Sequence, residues 1–580
     1  MSIRDKIKKT IREVAGDSMP FGVFVPEVEN FGHYSTNLAM RLANKEGKKP
    51  LDLAKELAVK IQANSPAGFF KEIEAAPPGF INFWISKEAL CDEFSRASGN
   101  DSYGSIESMK GKTVMVEFTD PNPFKLFHMG HLMSNAIGES IARLCEAAGA
   151  RVIRANYQGD VGLHVAKAVW GMKSMPERYS EEKMPDEKDS LSKKIDFLGK
   201  AYSFGSLVYE NEFYKDQSKA REAIVAINKK IYSKTDQEIN RLYDVGRKWS
   251  LEYFEEIYKR LGTKFDHYFF ESEVGKEGLE IVLGHENTFS KSDGAIVFHG
   301  EDYGLHTRVF VNAQSLPTYE AKELGLNKKK FELYPLDLSV IVTGNEINAY
   351  FGVLLKVMEL VMPEVAKKTR HVPHGMLRLS SGKMSSRTGE VITAESLIDE
   401  VKSRLQEKER ERENFNSTNE GVNREDVAIG AIKYSILKQA MGQDIVFDFD
   451  KSLSLKGDSG PYLQYTHARM RSILRKSEIK SQKSKFESGH LMSEPELALI
   501  RKIMEFPDVV LRAAEDLQMS GLANYLYKLA VFANKLYETT PVLKEENESR
   551  RNALLVLLET TSQVLKSGLG LLGIEAPEKI

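Results

Sequence analysis

Cysteine is nearly missing from this chain: two residues, Cys91 and Cys145, in 580. Neither stands near a histidine at metal-ligand spacing, so a disulfide framework and a structural zinc site are both excluded as the basis of the fold. Long apolar runs are missing too. No stretch approaches the length needed to cross a bilayer, so no membrane partner is expected. Nor is there an excess of one charge. Lys and Arg total 81 against 83 Asp and Glu, a net charge of −2. Nucleic acid would therefore have to be held by local basic patches rather than by the whole field of the protein. Internal repeats and low-complexity tracts are also lacking. Met1–Ala15 is a charged amphipathic stretch without an apolar signal core, and Asp5 and Glu13 count against a transit peptide. The expected setting is cytoplasmic.

What is present is a long, mixed chain. It is 42% hydrophobic and 28% charged, too long for one core, and should hold three or more domains. The informative stretch is Val114–Asp160. The apolar run Val114–Val116 leads through Glu117 and Phe118 into a proline-broken loop, Thr119 to Phe127. His128-Met129-Gly130-His131 follows, and Ile137, Ile141, Leu144, Cys145 and Ala148 then fall at helical spacing. A second apolar pair, Val152–Ile153, precedes Asn156-Tyr157-Gln158-Gly159-Asp160. The pattern predicts strand, loop, helix, strand: a βαβ unit.

Two imidazoles and a glycine at a helix start suit an anion. The helix N-terminus offers free N–H groups and the positive end of its dipole. Gly130 permits close approach to the backbone, and His128 and His131 add donors. By spacing alone, a pair of helix-start histidines without a ligand is an equal alternative. A second stretch shifts the balance. Ser380-Ser381-Gly382-Lys383-Met384-Ser385-Ser386-Arg387-Thr388-Gly389 is small, polar and cationic, the composition of a loop able to close a lysine onto phosphates.

Together these stretches resemble the HIGH and KMSKS signatures of class I aminoacyl-tRNA synthetases. Glu117 to Pro123, Asn156 to Gly162 and Gln464 to Arg469 are similar to arginyl-tRNA synthetases in particular, in the expected order along nearly the whole chain. The resemblance implies an ATP-dependent ligase that activates L-arginine and transfers it to tRNA(Arg), with MgATP as substrate and no resident metal. It also implies tRNA-dependent adenylate formation and attack by the 2′-hydroxyl. A class I synthetase of another specificity, a nucleotidyltransferase that activates small acids, and a non-charging tRNA-binding paralogue are the alternatives.

The expected fold is multidomain α/β. Residues 1–105 form a small α+β domain, and 106–390 a Rossmann-like, doubly wound parallel sheet with a charged helical insertion at about 172–250. Residues 391–455 form a connecting helical stem, and 456–580 an all-α bundle. Strand character is read at 265–273, 294–298, 308–311 and 338–342, all assigned to the parallel sheet. Gly32–Ala43 reads as a helix opened by a Ser/Thr cap. Three periodic helices are read over Pro495–Gly570. A monomer is expected.

Site residues follow from the resemblance. His128, Gly130, His131, Lys383, Met384 and Ser385 hold ATP. His128, His131, Lys125, Lys383 and Arg387 stabilise charge in the transition state. Glu271 and Glu323 pair with the guanidinium of arginine, with Tyr319 alongside, while Glu117 and Asn122 meet its α-ammonium and carboxylate. Where the family offers a glutamine this chain has Ile347, leaving Glu346 or Asn348 as substitutes. Phe80 and Asn82 read a tRNA base in the leading domain. Arg469, Arg471 and Arg475 lie in a basic run, Tyr465–Lys485, and meet tRNA phosphates; a solvated helix face is the alternative for that run. The class carries a second lysine where this chain has Ser386. Lys125, with Arg387 as its rival, is expected to supply the missing cation.

Overall fold

The computed structural model describes residues 2–16, 20–26, 28–100, 102–179, 181–211, 217–380, 393–410, 423–477, 490–491 and 493–580. The described chain divides into two compact units. One comprises Met1–Ser108, Asn416–Gly430 and Ser454–Ile580, and the other Met109–Phe415 and Ala431–Leu453.

In the first unit, α1 (Ile3–Ala15) is opened by a capping box from Ser2 and Asp5. Strands β1 (Val23–Phe24), β2 (Tyr34–Thr36), β3 (Phe70–Ala76) and β4 (Phe80–Ile85) form an antiparallel sheet of order β1-β2-β4-β3. Helices α2 (Leu38–Glu46), α3 (Pro50–Asn64) and α4 (Lys87–Ala97) accompany it. The expected helix start at Ser35-Thr36 is corrected: Tyr34–Thr36 pair with Ile81–Phe83 as strand, and the helix begins only after Asn37.

The second unit carries a five-stranded, wholly parallel sheet. Its strands are β5 (Thr113–Glu117), β6 (Arg151–Gln158), β7 (His267–Phe270), β11 (Leu338–Gly344) and β12 (Thr369–His374), in the order β12-β11-β5-β6-β7. The first strand of the domain is therefore central, and the order reverses between β5 and β11. That is the doubly wound arrangement in which ligands sit outside the carboxyl ends of the strands. Helix α5 (Met129–Ala147) is the first crossover.

Three expectations about this unit are corrected. Strands β8 (Ser290–Ser292), β9 (Ala295–Phe298) and β10 (Arg308–Val311) do not join the parallel sheet; they form their own antiparallel sheet of order β10-β9-β8. Short connections permit antiparallel pairing where a parallel crossover needs a helix. The helical insertion is longer than expected. Helices α6 (Leu163–Arg178), α7 (Leu191–Glu210), α8 (Gln217–Ser233) and α9 (Gln237–Arg260) fill the whole interval between β6 and β7. The segment 265–273 is a strand only to Phe270; Glu271 already begins α10 (Glu271–Leu283). Helices α11 (Tyr319–Leu333), α12 (Asn348–Val361) and the short α13 (Pro363–Ala366) follow as connections to the last strands.

The region read as a helical stem is more mixed. Strand β13 (Leu377–Leu379) pairs in parallel with β14 (Ile445–Phe447). Around them lie α14 (Ala394–Arg410), α15 (Arg424–Leu437) and α16 (Phe449–Ser452). The closing region, in the first unit, holds α17 (Gly460–Lys476), α18 (Glu494–Met504), α19 (Phe506–Asp516), α20 (Ser520–Thr539) and α21 (Glu548–Leu571). Four helices stand where three were read over Pro495–Gly570, because Pro507 begins a new helix just after Met504.

Helices α10 and α11 bring the acidic residues of interest together, and they are locked by two glycines. A Cβ at Gly278 would stand 1.9 Å from the Ala321 carbonyl oxygen, and one at Gly325 2.3 Å from that of Val274. Only hydrogen side chains allow the two backbones this close. Gly278→Val should lower the unfolding free energy by about 1–3 kcal/mol, the usual cost of overpacking. An unchanged urea midpoint for this variant would show that the helix pair can spread at no cost.

Candidate active site

The carboxyl ends of the parallel strands share one edge. Glu117 ends β5, Gly159 follows β6, Glu271 follows β7 and Gly344 ends β11. The loop from Phe118 to Phe127 crosses this edge along a strained path: Thr119, Asp120 and Phe124 have φ of 79°, 46° and 68°, a region that non-glycine residues avoid. Neighbouring elements hold it there. The Thr119 N–H donates to Ser134 Oγ at 2.9 Å, and Asn135 Nδ2 donates to Thr119 Oγ1 at 3.1 Å. Asn156 Nδ2 donates to the Phe118 carbonyl at 3.1 Å, and the Tyr157 N–H to Asp120 Oδ1 at 2.7 Å.

The helical insertion, which carried no chemistry in the sequence, supplies the rest of the buttress. Ser250 Oγ and the Tyr253 hydroxyl, both on α9, accept the N–H groups of Phe124 and Phe127 at 2.9 and 3.4 Å. The Phe124 ring fills a notch where a Cβ on Gly246 would come within 2.2 Å. Tyr202, on α7, presents its ring to the Lys125 ammonium at 5.5 Å.

His128 caps α5. Its Nδ1 accepts the Gly130 N–H at 3.1 Å, and His131 Nδ1 accepts the His128 N–H at 3.3 Å. The rings stack with centroids 3.6 Å apart. A Cβ on Gly130 would press on the His128 ring at 3.0 Å, so that glycine serves the capping turn itself. Burial lowers the pKa of both imidazoles, helped by Lys125 and, for His131, by His128. They are neutral at physiological pH. With both Nδ1 atoms accepting, each proton resides on Nε2, leaving two uncharged N–H donors.

Thr393 forms a β-bridge with His128, and the Ala394 N–H donates to the Phe127 carbonyl at 3.0 Å. The segment leaving the second signature is therefore tied to the first. Lys383, Met384, Ser385 and Arg387 themselves lie outside the described residues.

The acids gather at the ends of β5 and β7 and on α11. Glu117 is buried and pairs with Lys330 at 2.6 Å; the two side chains are 2% and 0% exposed. Its expected role with a substrate ammonium is thus filled by an internal one. Glu271 is likewise buried and pairs with Lys322 at 2.7 Å, and Lys322 also reaches the Tyr232 hydroxyl on α8 at 3.2 Å. Tyr319 is exposed and lies under the same ammonium at 5.2 Å. Glu323 differs. Its Oε2 is buried and has no hydrogen-bond partner. Burial, together with the charge of Glu117, pushes its carboxyl up to about 8. Asn122 and Glu271 meet over Gly159. A Cβ there would lie 2.3 Å from Asn122 Oδ1 and 2.9 Å from Glu271 Oε1, and the Gly159 N–H donates to that same Asn122 oxygen at 3.2 Å. Ile347, Glu346 and Asn348 are all exposed, and of the two substitutes Glu346 is the one whose charge acts on His128.

In the first unit, Phe80, Asn82 and Trp84 alternate on one face of β4. Phe80 and Trp84 are half-buried, while Asn82 is 2% exposed and accepts from Ser35 Oγ at 2.8 Å. On α17, Arg469 lies between the rings of Tyr465 and Tyr537 at 4.7 and 4.9 Å and donates to Asn534. Arg471 and Arg475 share the carboxylate of Glu578 at 2.8 and 3.4 Å. A cavity of about 810 Å³ opens beside them, lined also by Lys476, Lys544 and Lys579. Sequence reading found the arginines but not the facing Tyr537 or the terminal Glu578, which lie far along the chain.

A parallel sheet of this order, with an imidazole turn at the carboxyl end of its central strand, is the arrangement expected of a class I tRNA synthetase catalytic domain. Residues 95–449 match the family model described as tRNA synthetases class I (R), catalytic domain. Residues 1–85 match the arginyl tRNA synthetase N terminal domain, and 463–580 the DALR anticodon binding domain. The arginine–tRNA ligase of Porphyromonas gingivalis is 31% identical over 92% of this chain and 91% of its own length. That of Bacteroides thetaiotaomicron is 29% identical over 100% of both. Thermus thermophilus arginyl-tRNA synthetase superposes with a TM-score of 0.79 at 24% identity, covering 100% of this chain and 99% of its own. The chain belongs to the arginyl-tRNA synthetase family.

The buried Glu117–Lys330 pair gives a stability prediction. Lys330→Met leaves a carboxylate buried without its cation and should cost about 3–5 kcal/mol. Denaturant unfolding measures it, and a loss below about 1 kcal/mol would mean that Glu117 finds another partner.

Proposed function

We propose that this protein charges tRNA(Arg) with L-arginine at the carboxyl edge of the parallel sheet, with Glu323 as the anchor for the guanidinium. The observation that carries the assignment is the buried, unpartnered Glu323 Oε2. Glu117 and Glu271 each already hold a lysine ammonium, so of these three acids Glu323 is the one with a cation still to receive. A guanidinium offers five donors in a plane, and a carboxylate is its matching acceptor. Glu271 is better read as fixing Lys322 and shaping the floor beside Asn122 than as an equal half of a pair.

ATP lies at the α5 turn. The Nε2–H groups of His128 and His131 and the free N–H groups of the helix receive phosphate oxygens. The imidazoles are neutral, so the positive charge must come from lysine: Lys125 from this loop and Lys383 from the second signature. The arginine carboxylate attacks the α-phosphorus, a new P–O bond forms, and pyrophosphate leaves with the electron pair. Donors placed where that negative charge develops lower the barrier. A terminal ribose hydroxyl of tRNA, the 2′-hydroxyl by family resemblance, then attacks the arginyl carbonyl and AMP departs. Mg²⁺ is read as entering with the nucleotide, carried mainly by its phosphate oxygens as part of the substrate.

tRNA is held by residues of the first unit. Tyr465 and Tyr537 flanking Arg469 offer stacking faces for an unpaired base, and Lys476, Lys544 and Lys579 offer phosphate contacts. Phe80 and Trp84 form a second aromatic face. No helix among the described residues is long and apolar enough to cross a membrane. A cytoplasmic monomer completes the proposal.

Arginine-dependent ATP–pyrophosphate exchange with tRNA present tests the reading. Glu323→Gln should raise the KM for arginine by the equivalent of about 1.5–3 kcal/mol, the worth of a charged hydrogen bond, with the KM for ATP almost unchanged. Equal losses for both substrates would remove Glu323 from the arginine site. Lys125→Ala should lower kcat about a hundredfold or more and leave the KM for ATP nearly constant. A near-normal Lys125→Ala beside a crippled Arg387→Ala would assign the second cation to Arg387.

A further inference from the structure

Three of the acids around the proposed guanidinium anchor are matched with cations; the anchor itself is not, nor is Asp120, whose carboxyl accepts the Tyr157 N–H at 2.7 Å. Glu117 on β5 holds Lys330, and Glu271 on α10 holds Lys322. Glu320 on α11 meets Arg308 of β10 at 3.5 Å. Glu323 stands among these three acids with its Oε2 buried and unpartnered. The other titratable groups that feel it are the carboxyl of Asp120, in the loop after β5, and the phenols of Tyr157 on β6 and Tyr350 on α12. The Tyr157 hydroxyl is itself buried without a hydrogen-bond partner.

We propose that L-arginine enters this pocket in exchange for a proton: Glu323 is a neutral carboxyl when the pocket is empty, and the guanidinium expels its proton to solvent as the N–H···O contacts form. The inference rests on the assignment of Glu323 as anchor. Charge balance is its physical basis. With Glu117, Glu271 and Glu320 matched, an ionised Glu323 would be a fourth negative charge, partly desolvated and without a cation, which is costly. Holding a proton removes that cost. The arginine side chain brings the missing positive charge, so the proton leaves when it binds. A neutral urea in the same place cannot drive the exchange, and the site therefore selects for a permanently charged side chain.

The direction of the pH dependence follows. Burial first, then the repulsion of Glu117, raise the Glu323 carboxyl to about 8 against the opposing pull of Lys330. A bound guanidinium favours the carboxylate and lowers that value. Arginine affinity should then rise with pH up to about 8 and level off above it. Below, it should fall up to tenfold per unit until the occupied carboxyl also holds its proton.

Titration calorimetry of the full chain with L-arginine at pH 7, in buffers of different ionisation enthalpy, counts the protons released. The expected count is close to one for the native protein, falling towards zero above pH 9. In Glu323→Gln, binding should be weaker and the count near zero. No release from the native protein, with Glu323→Gln still weakened, would overturn the exchange while leaving the anchor in place. Unweakened binding by Glu323→Gln would overturn the anchor and the exchange together. If Glu323→Gln does not fold, the count on the native protein from pH 6 to 9.5 decides, because a count that does not fall with rising pH excludes a group titrating near 8.

Discussion

The site depends on one constraint, the strained path of the loop between β5 and α5. Helix α5 can present its N-terminus at the carboxyl edge of the sheet only if the chain turns sharply after Phe118. Three non-glycine residues with positive φ make that turn. Each such residue costs of order 1–3 kcal/mol and persists only where its surroundings over-determine it. Here the surroundings are side chains from α5, β6 and α9, each receiving or donating a hydrogen bond to the loop backbone, and the β6 backbone, which donates to the Asp120 carboxylate. The imidazole turn is an outcome of that bracing, since His128 begins its cap where the braced loop ends.

The same dependence explains the long insertion. Helices α7, α8 and α9 carry Tyr202, Tyr232, Tyr243, Arg247, Ser250 and Tyr253, and all six reach residues of the site or its supports. Asp160, which follows β6, accepts from the Tyr243 hydroxyl, from Arg247, and from both the backbone and the hydroxyl of Ser272. That carboxylate therefore joins the end of one strand to the insertion and to the helix that bears Glu271. The insertion is the wall against which the site is built.

How much of this was legible in the sequence varied with the range of the interactions. The βαβ unit, the imidazole turn and the closing helices were readable because periodicity and capping are local signals. Strand β12 escaped, since Thr369-Arg370-His371-Val372-Pro373-His374 is polar and contains proline; it survives as the sheet's edge, where proline is tolerated. Strands β9 and β10 looked like members of the parallel sheet because apolar content does not specify a partner. The acids were found individually, but which of them already held lysines was not. Lys330 lies 213 residues from Glu117 and Lys322 lies 51 from Glu271. Pairings of that range are set by the packing of α10 and α11, down to two glycines.

The resulting polarity of the edge orients the substrates. At the α5 turn the helix N-terminus, two Nε2–H donors and Lys125 make a region that receives negative charge, with Glu346 the acid whose charge reaches His128. Beside it stand Glu117 and Glu271, each balanced by an internal lysine, and Glu323 with one oxygen left over. Arginine carries a guanidinium at one end and an ammonium with a carboxylate at the other. With Glu323 as the proposed anchor, the carboxylate would be left facing the phosphates it must attack. A reversed molecule would set its carboxylate against Glu323 and its guanidinium against Lys125, opposing like charges at both ends. In a partly desolvated cleft such contacts cost several kcal/mol. Recognition of the side chain and alignment of the nucleophile are then one electrostatic event, and a residue that loosens Glu323 should also misplace the carboxylate.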